Sequence, residues 1–112
     1  MEQPKVQDHA GQGADAAALL APFRARIDEI DDRLVALLAE RFTIIREVAC
    51  FKEPRGIPAV IPDRVIAVRK RAVDSGVSQG LRAEFLGALY GLIIEEACRL
   101  EAELMAGARN AG

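Results

Sequence analysis

From Ala16 to Lys52 the chain contains no glycine and one proline, Pro22, and its large apolar residues recur at the period of a helix pressed against another helix. Leu20, Ile27, Leu34, Arg41 and Val48 fall seven apart, and Phe23, Ile30, Leu37, Ile44 and Phe51 repeat that interval at interleaved offsets of three and four. This spacing holds one apolar seam toward a partner and predicts a single long helix. Pro22 suits the first turns of such a helix and would kink it if a full turn preceded it. A helix of about 35 residues is about 50 Å long, longer than a monomer of this size is wide. The seam is therefore expected to pack on a second copy of the chain, as a homodimer.

The remaining sequence predicts two further helices. Residues 53–61 (EPRGIPAVI) carry two prolines and a glycine and read as a loop. Pro62 and Asp63 suit the first turn of a short second helix, running through Val65, Val68 and Ala72 to a stop at Ser75-Gly76. The third helix spans about Leu81 to Met105, with Leu86, Leu89, Ile93, Ala97, Leu100 and Leu104 on one face and a Glu95–Arg99 pair outside. Residues 1–15 read as a disordered tail, 16–106 as one helical domain and 107–112 as a flexible tail. With 112 residues, 51% apolar content, 4% aromatic content and no tryptophan, one core of Leu, Ile, Val and Ala is expected, in an all-α fold of one long, one short and one medium helix.

A net charge of -2 and a pI near 5.4 argue against nucleic acid or an anionic membrane as the main partner. No apolar run is long enough to span a bilayer, and the N-terminus lacks the regions of a signal peptide. Cys50 and Cys98 lie in apolar helical patterns without CxxC spacing and read as buried free thiols in a reducing, cytoplasmic setting. The single histidine, His9, falls in the expected tail. A histidine-based triad or metal site needs that residue on a rigid scaffold, so neither is expected.

Arg41 breaks the seam where an aliphatic residue belongs. A guanidinium there needs a counter-charge, either an acidic residue of another helix or an anionic ligand. Lys52 lies eleven residues on along the same face, about 16 Å away, so the two cations can bracket a small dianion; alone, Lys52 is a lysine snorkelling from a helix end. Arg24 precedes Lys52 by 28 residues, about 42 Å along a straight helix. It reaches the same ligand only from the partner of an antiparallel symmetric dimer, and otherwise is a solvated arginine. Arg64 opposes the helix dipole in the first turn of the second helix, which suits a ligand clamp better than a stabilising role. Glu101 shares a stripe with Tyr90, Ile94, Ala97 and Met105, as a carboxylate on an apolar face or a surface residue beside it. Arg69-Lys70-Arg71 reads as a solvated face.

The segments IDEIDDRLVALLAERFTIIREVACFK, PDRV and LIIEEACRLEAEL, with the joint spacing of Arg24, Arg41, Lys52 and Arg64, resemble the all-α chorismate mutase family over roughly residues 17 to 106. The family includes isochorismate-pyruvate lyase and 4-amino-4-deoxychorismate mutase branches. The resemblance implies an intertwined dimer with two sites, each built mainly by one chain with an arginine from the other. Arg24 from the partner and Arg41 would bind the carboxylates of a dicarboxylate substrate, with Arg64 also in the site. Lys52 would contact a carboxylate and the enolpyruvyl ether oxygen, and Glu101 would lie near that oxygen where bacterial mutases usually have glutamine. Ile61 and Val65 stand where acidic residues are expected around the C4 hydroxyl, and Ala97 replaces a small hydroxyl residue.

The implied reaction is a unimolecular rearrangement of a chorismate-like enolpyruvyl ether to the prephenate form, which requires no nucleophile, metal or cofactor. Catalysis would come from holding the compact conformer and placing positive charge beside the ether oxygen. Third-helix similarity to the aminodeoxychorismate mutases puts 4-amino-4-deoxychorismate somewhat ahead of chorismate. Elimination of pyruvate from isochorismate to leave salicylate is the alternative reaction. A non-catalytic helical dimer binding a metabolite or a protein is the alternative from another class.

Overall fold

The structure is a computed structural model and describes residues 9–111, with side chains from 15 to 110. It contains α1 (His9–Lys52), a 3-10 turn at Glu53–Arg55, α2 (Pro62–Val77) and α3 (Ala83–Ala111). No strand occurs among the described residues, and the class and number of helices are those expected. No described helix is long and apolar enough to cross a membrane.

Both outer helices extend beyond their expected limits. α1 starts at His9 rather than at Ala16, while residues 1–8 of the expected tail lie outside the described residues. α3 continues to Ala111, through most of the expected 107–112 tail. Gly11, Gly13 and Gly107 each cost about 1 kcal/mol relative to alanine in a helix, and alanine-rich flanks offset that cost. Arg109 in the last turn also complements the α3 dipole. Pro22 lies inside α1, removing one hydrogen bond from the helical ladder.

The chain divides into two compact units, residues 1–39 and 40–112. In the first, the described part of α1 leaves its seam uncovered within the single chain: Leu20, Phe23, Ile27, Ile30, Leu34 and Leu37 are all exposed. The second unit holds the core. Its most buried residues are Ala49, Leu86, Ile94, Ala97 and Met105, together with the carboxylate residue Glu101.

The buried face of α3 is thus Leu86, Ile94, Ala97, Glu101 and Met105, with Tyr90 partly buried. The expected face through Leu89, Ile93, Leu100 and Leu104 is less covered, with Leu89 and Leu104 classed as exposed. The run Leu92-Ile93-Ile94 lets an apolar stripe be drawn in either register, and pairing of the carboxylate selects the one containing Glu101. The outward ion pair of α3 joins Arg99 to Glu96, one residue from the expected Glu95.

Ser75-Gly76 does not end α2, which runs to Val77. Gly76 is buried because α3 approaches closely: a Cβ there would lie 2.2 Å from Leu86 Cδ1. The stop comes at Gly80, whose φ of 91° puts it in glycine territory. Gly80 N–H donates to Val77 O at 3.1 Å and Leu81 N–H to Gly76 O at 3.0 Å, the paired closure of a Schellman turn. Arg69 is no simple solvated residue either; its Nε donates to Gly87 O at 3.0 Å and ties α2 to α3.

Gly76→Ala is expected to destabilise the fold by about 1–3 kcal/mol, because buried Leu86 has little room to withdraw. Urea unfolding at fixed protein concentration measures this. The Gly76→Ala/Leu86→Ala double variant should lose less than the sum of its single variants; strict additivity would show that the two side chains do not meet.

Candidate functional site

Three helix faces, all within residues 40–112, surround one cleft of about 440 Å³. α1 contributes Arg41, Ile45, Val48 and Lys52, residues spaced by four, three and four and so stacked along one face. α2 contributes Arg64, Val65 and Val68, with Ile61 just ahead of its first turn, and α3 contributes Ile94, Ala97, Cys98 and Glu101. The cleft is apolar in bulk, with charge confined to Arg41, Lys52, Arg64 and Glu101. A cavity of this size with a few convergent polar groups is the ordinary form of a small-molecule site.

The charges are held differently. Lys52 Nζ donates to Glu101 Oε1 at 2.7 Å and to Ala59 O at 3.0 Å. The two side chains are only 12% and 7% exposed, so they form a buried ion pair rather than a snorkelling lysine and a surface glutamate. Arg41 has no such arrangement: its Nη1 is buried without a hydrogen-bond partner. Arg41 as a whole is half-buried, but a buried donor left without an acceptor is costly, and an acceptor entering the cleft would relieve that cost. Arg64 is exposed while lining the same cleft.

Ile61 occupies the N-cap of α2 without a side-chain cap, leaving its carbonyl to accept from Arg64 N–H at 3.0 Å and Val65 N–H at 3.1 Å. Capping sites prefer Ser, Thr, Asp or Asn. An isoleucine there forgoes local stability and extends the cleft's apolar wall. Ile61, Val65 and Ala97 thus all line the cleft, with Ala97 buried. Arg24, by contrast, lies in the first unit on an exposed stretch of α1. Of the residues singled out from sequence, the structure brings together all but Arg24.

Sequence reasoning missed the Ala59 carbonyl and Cys98. A main-chain acceptor has no residue-type signature, but Cys98 was legible as the neighbour of Ala97 one turn before Glu101. Burial pushes the Cys98 thiol up from its ordinary pKa and the Glu101 carboxylate adds to the rise, while Lys52 opposes it. Both cysteines are free, as expected, but neither is buried in the single chain: Cys50 is exposed and Cys98 is half-buried. Among the described residues no group of three or more His, Cys, Asp or Glu could hold a metal ion.

An all-α unit with an unpartnered Arg41 donor and a braced Lys52 ammonium at an apolar cleft has the form of a small-molecule site. The chorismate mutase type II signature matches residues 23–102, most of the folded chain. The chain is 35% identical over 82 residues to a 4-amino-4-deoxychorismate mutase of Streptomyces venezuelae, covering 73% of this chain and 80% of that protein. It is 33% identical over 93 residues to a 4-amino-4-deoxychorismate mutase of Streptomyces pristinaespiralis, covering 83% and 72%. A chorismate mutase of Methanocaldococcus jannaschii is 28% identical over 95 residues, covering 81% and 92%. The chain belongs to the chorismate mutase type II family, and that membership supports an isomerase-type activity.

Removing one member of the buried pair leaves the other charge stranded, so Lys52→Ala and Glu101→Ala should each cost about 3–5 kcal/mol. The Lys52→Met/Glu101→Leu double variant should cost less than either. Urea unfolding at equal protein concentration checks both. A double variant as unstable as the single ones would mean that the pair contributes a net attraction exceeding its desolvation cost.

Proposed function

We propose that the cleft binds a compact dicarboxylate enolpyruvyl ether of the chorismate type and catalyses its intramolecular rearrangement to the prephenate form, within a homodimer. The observation that carries this reading is the buried, unpartnered Arg41 Nη1 opening on the cleft that also holds Lys52. Arg41 and Arg64 hold the carboxylates and favour the folded conformer, while Lys52 stabilises charge on the ether oxygen as the C–O bond lengthens. The reaction needs no cofactor.

The exposed seam residues of α1 support the dimer, since Phe23, Ile27, Ile30, Leu34 and Leu37 form an apolar stripe suited to a second copy. In that dimer Arg24 of one chain completes the partner's site. Among substrates, 4-amino-4-deoxychorismate ranks ahead of chorismate, supported by the two Streptomyces relatives. An isochorismate-pyruvate lyase reaction is the second reading, favoured by the absence of acidic residues at those two positions.

Incubation of the purified protein with 4-amino-4-deoxychorismate, chorismate and isochorismate in turn, with chromatographic identification of products, tests the reading. Rearranged product is expected, with turnover lost on Arg41→Ala. Salicylate with pyruvate would replace the mutase reading with the lyase one, and no turnover of any substrate would leave a binding module. Mixing inactive Arg24→Ala and Arg41→Ala chains should then restore about a quarter of wild-type activity, because half the dimers are mixed and each has one intact site. No recovery after verified exchange would place Arg24 outside the site.

Glu101 donates to the ether oxygen only as the neutral acid. An amide donates without that requirement, so Glu101→Gln is expected to retain kcat while Glu101→Leu lowers it. Loss of kcat in Glu101→Gln as deep as in Glu101→Leu would exclude the donor role.

A further inference from the structure

We infer that the turn following α1 is a positioning device for Lys52, and that Gly56 is its positioning residue. Lys52 is tied to this turn twice. Its carbonyl accepts from Ile57 N–H at 3.2 Å, and its Nζ donates to Ala59 O at 3.0 Å. The turn thereby closes on both ends of the same residue. Gly56 makes the reversal possible with φ 66° and ψ 22°, its N–H donating to Glu53 O at 3.3 Å. The start of the turn is braced as well: Arg55 Nη1 donates to Phe51 O at 2.8 Å, with the guanidinium 3.6 Å from the Phe51 ring centroid.

An ammonium has three N–H donors. Ala59 O and Glu101 Oε1 occupy two of them and set the direction of the third. A lysine on four rotatable carbons is otherwise a poorly oriented point charge. The turn removes that freedom before any ligand arrives, which is the condition for electrostatic stabilisation without reorganisation. The catalytic part of this inference rests on the proposed mutase reading; the clasp itself does not.

Gly56 allows a clean test because nothing lies within 4 Å of a Cβ placed there, so a substitution acts through backbone conformation alone. Gly56→Ala disfavours the left-handed turn, whereas Gly56→Asn tolerates it. Reductive dimethylation with formaldehyde and borohydride, followed by peptide mass spectrometry, reads the release of Lys52 without requiring turnover. Lys70, with its side chain 74% exposed, is the internal reference. Lys52 is expected to react about tenfold faster in Gly56→Ala, the left-handed penalty expressed as opening of the clasp, with Gly56→Asn restoring slow reaction and helical circular dichroism unchanged.

With the substrate turned over by the wild type, kcat should fall in Gly56→Ala with KM moved less, and recover in Gly56→Asn. Equal Lys52 reactivity in wild type and Gly56→Ala would overturn the clasp while leaving the proposed function untouched. Faster reaction with an unchanged kcat would overturn the positioning role. Absence of turnover in the wild type would count against the proposed function alone, the clasp then being decided by the methylation rates.

Discussion

The buried contact between Lys52 and Glu101 determines which face of α3 turns inward. Taking a carboxylate and an ammonium out of water costs several kcal/mol per ion in an effective protein environment, so Glu101 can be buried only where an ammonium meets it. Lys52 at the end of α1 meets it at 2.7 Å. Once that contact is made, Ile94 and Ala97 must lie on the same inward stripe, and the alternative stripe through Leu89 and Leu104 is left less covered. Apolar burial alone would have favoured the alternative, which carries more leucine. The ionic contact therefore acts as a register device, and the cleft floor is its by-product.

Much of this was legible in the sequence, and the failures share a cause. The end of the long first helix at Lys52, the break at 53–61, which holds a short 3-10 turn, and the Pro62-Asp63 start depend on local chemistry and appear where expected. Arg41, Lys52, Arg64, Ile61, Val65, Ala97 and Glu101 all line one cleft, because residues spaced by three or four on one helix share a face. The errors arose where tertiary context overrides a local signal. Gly76 resembled a helix stop but is small to admit Leu86, while Gly80, four residues on, supplies the left-handed turn. Arg69 sat in a basic run that looked solvated, yet it bonds the Gly87 carbonyl. Single-chain periodicity could not choose between two apolar stripes of α3, because that choice depends on a charge in another helix.

The cleft also shows how a chain of net charge -2 can gather positive charge locally. Net charge describes long-range steering, whereas affinity at the site depends on nearby charges and their solvation. Ile44, Ile45, Val48, Val68 and Ile94 displace water around the cations, which strengthens every interaction made there. Within that environment Lys52 and Arg41 are in different states. Lys52 is already satisfied by a carboxylate and a carbonyl, so its direction is fixed at the cost of part of its attraction for a ligand. Arg41 has a buried donor without a partner, so its attraction is undiminished.

That division bears on how the proposed reaction is apportioned. Ground-state binding falls to the arginines, whose planar forks match carboxylates. Charge developing at an ether oxygen is met by the lysine, whose acceptors have prearranged it. Glu101 serves as Lys52's counter-ion in the empty site. A glutamine at this position could donate at any pH but could not form an ion pair with the lysine. The glutamate therefore gives a more firmly held Lys52 in the empty site, and the same residue sets the α3 register.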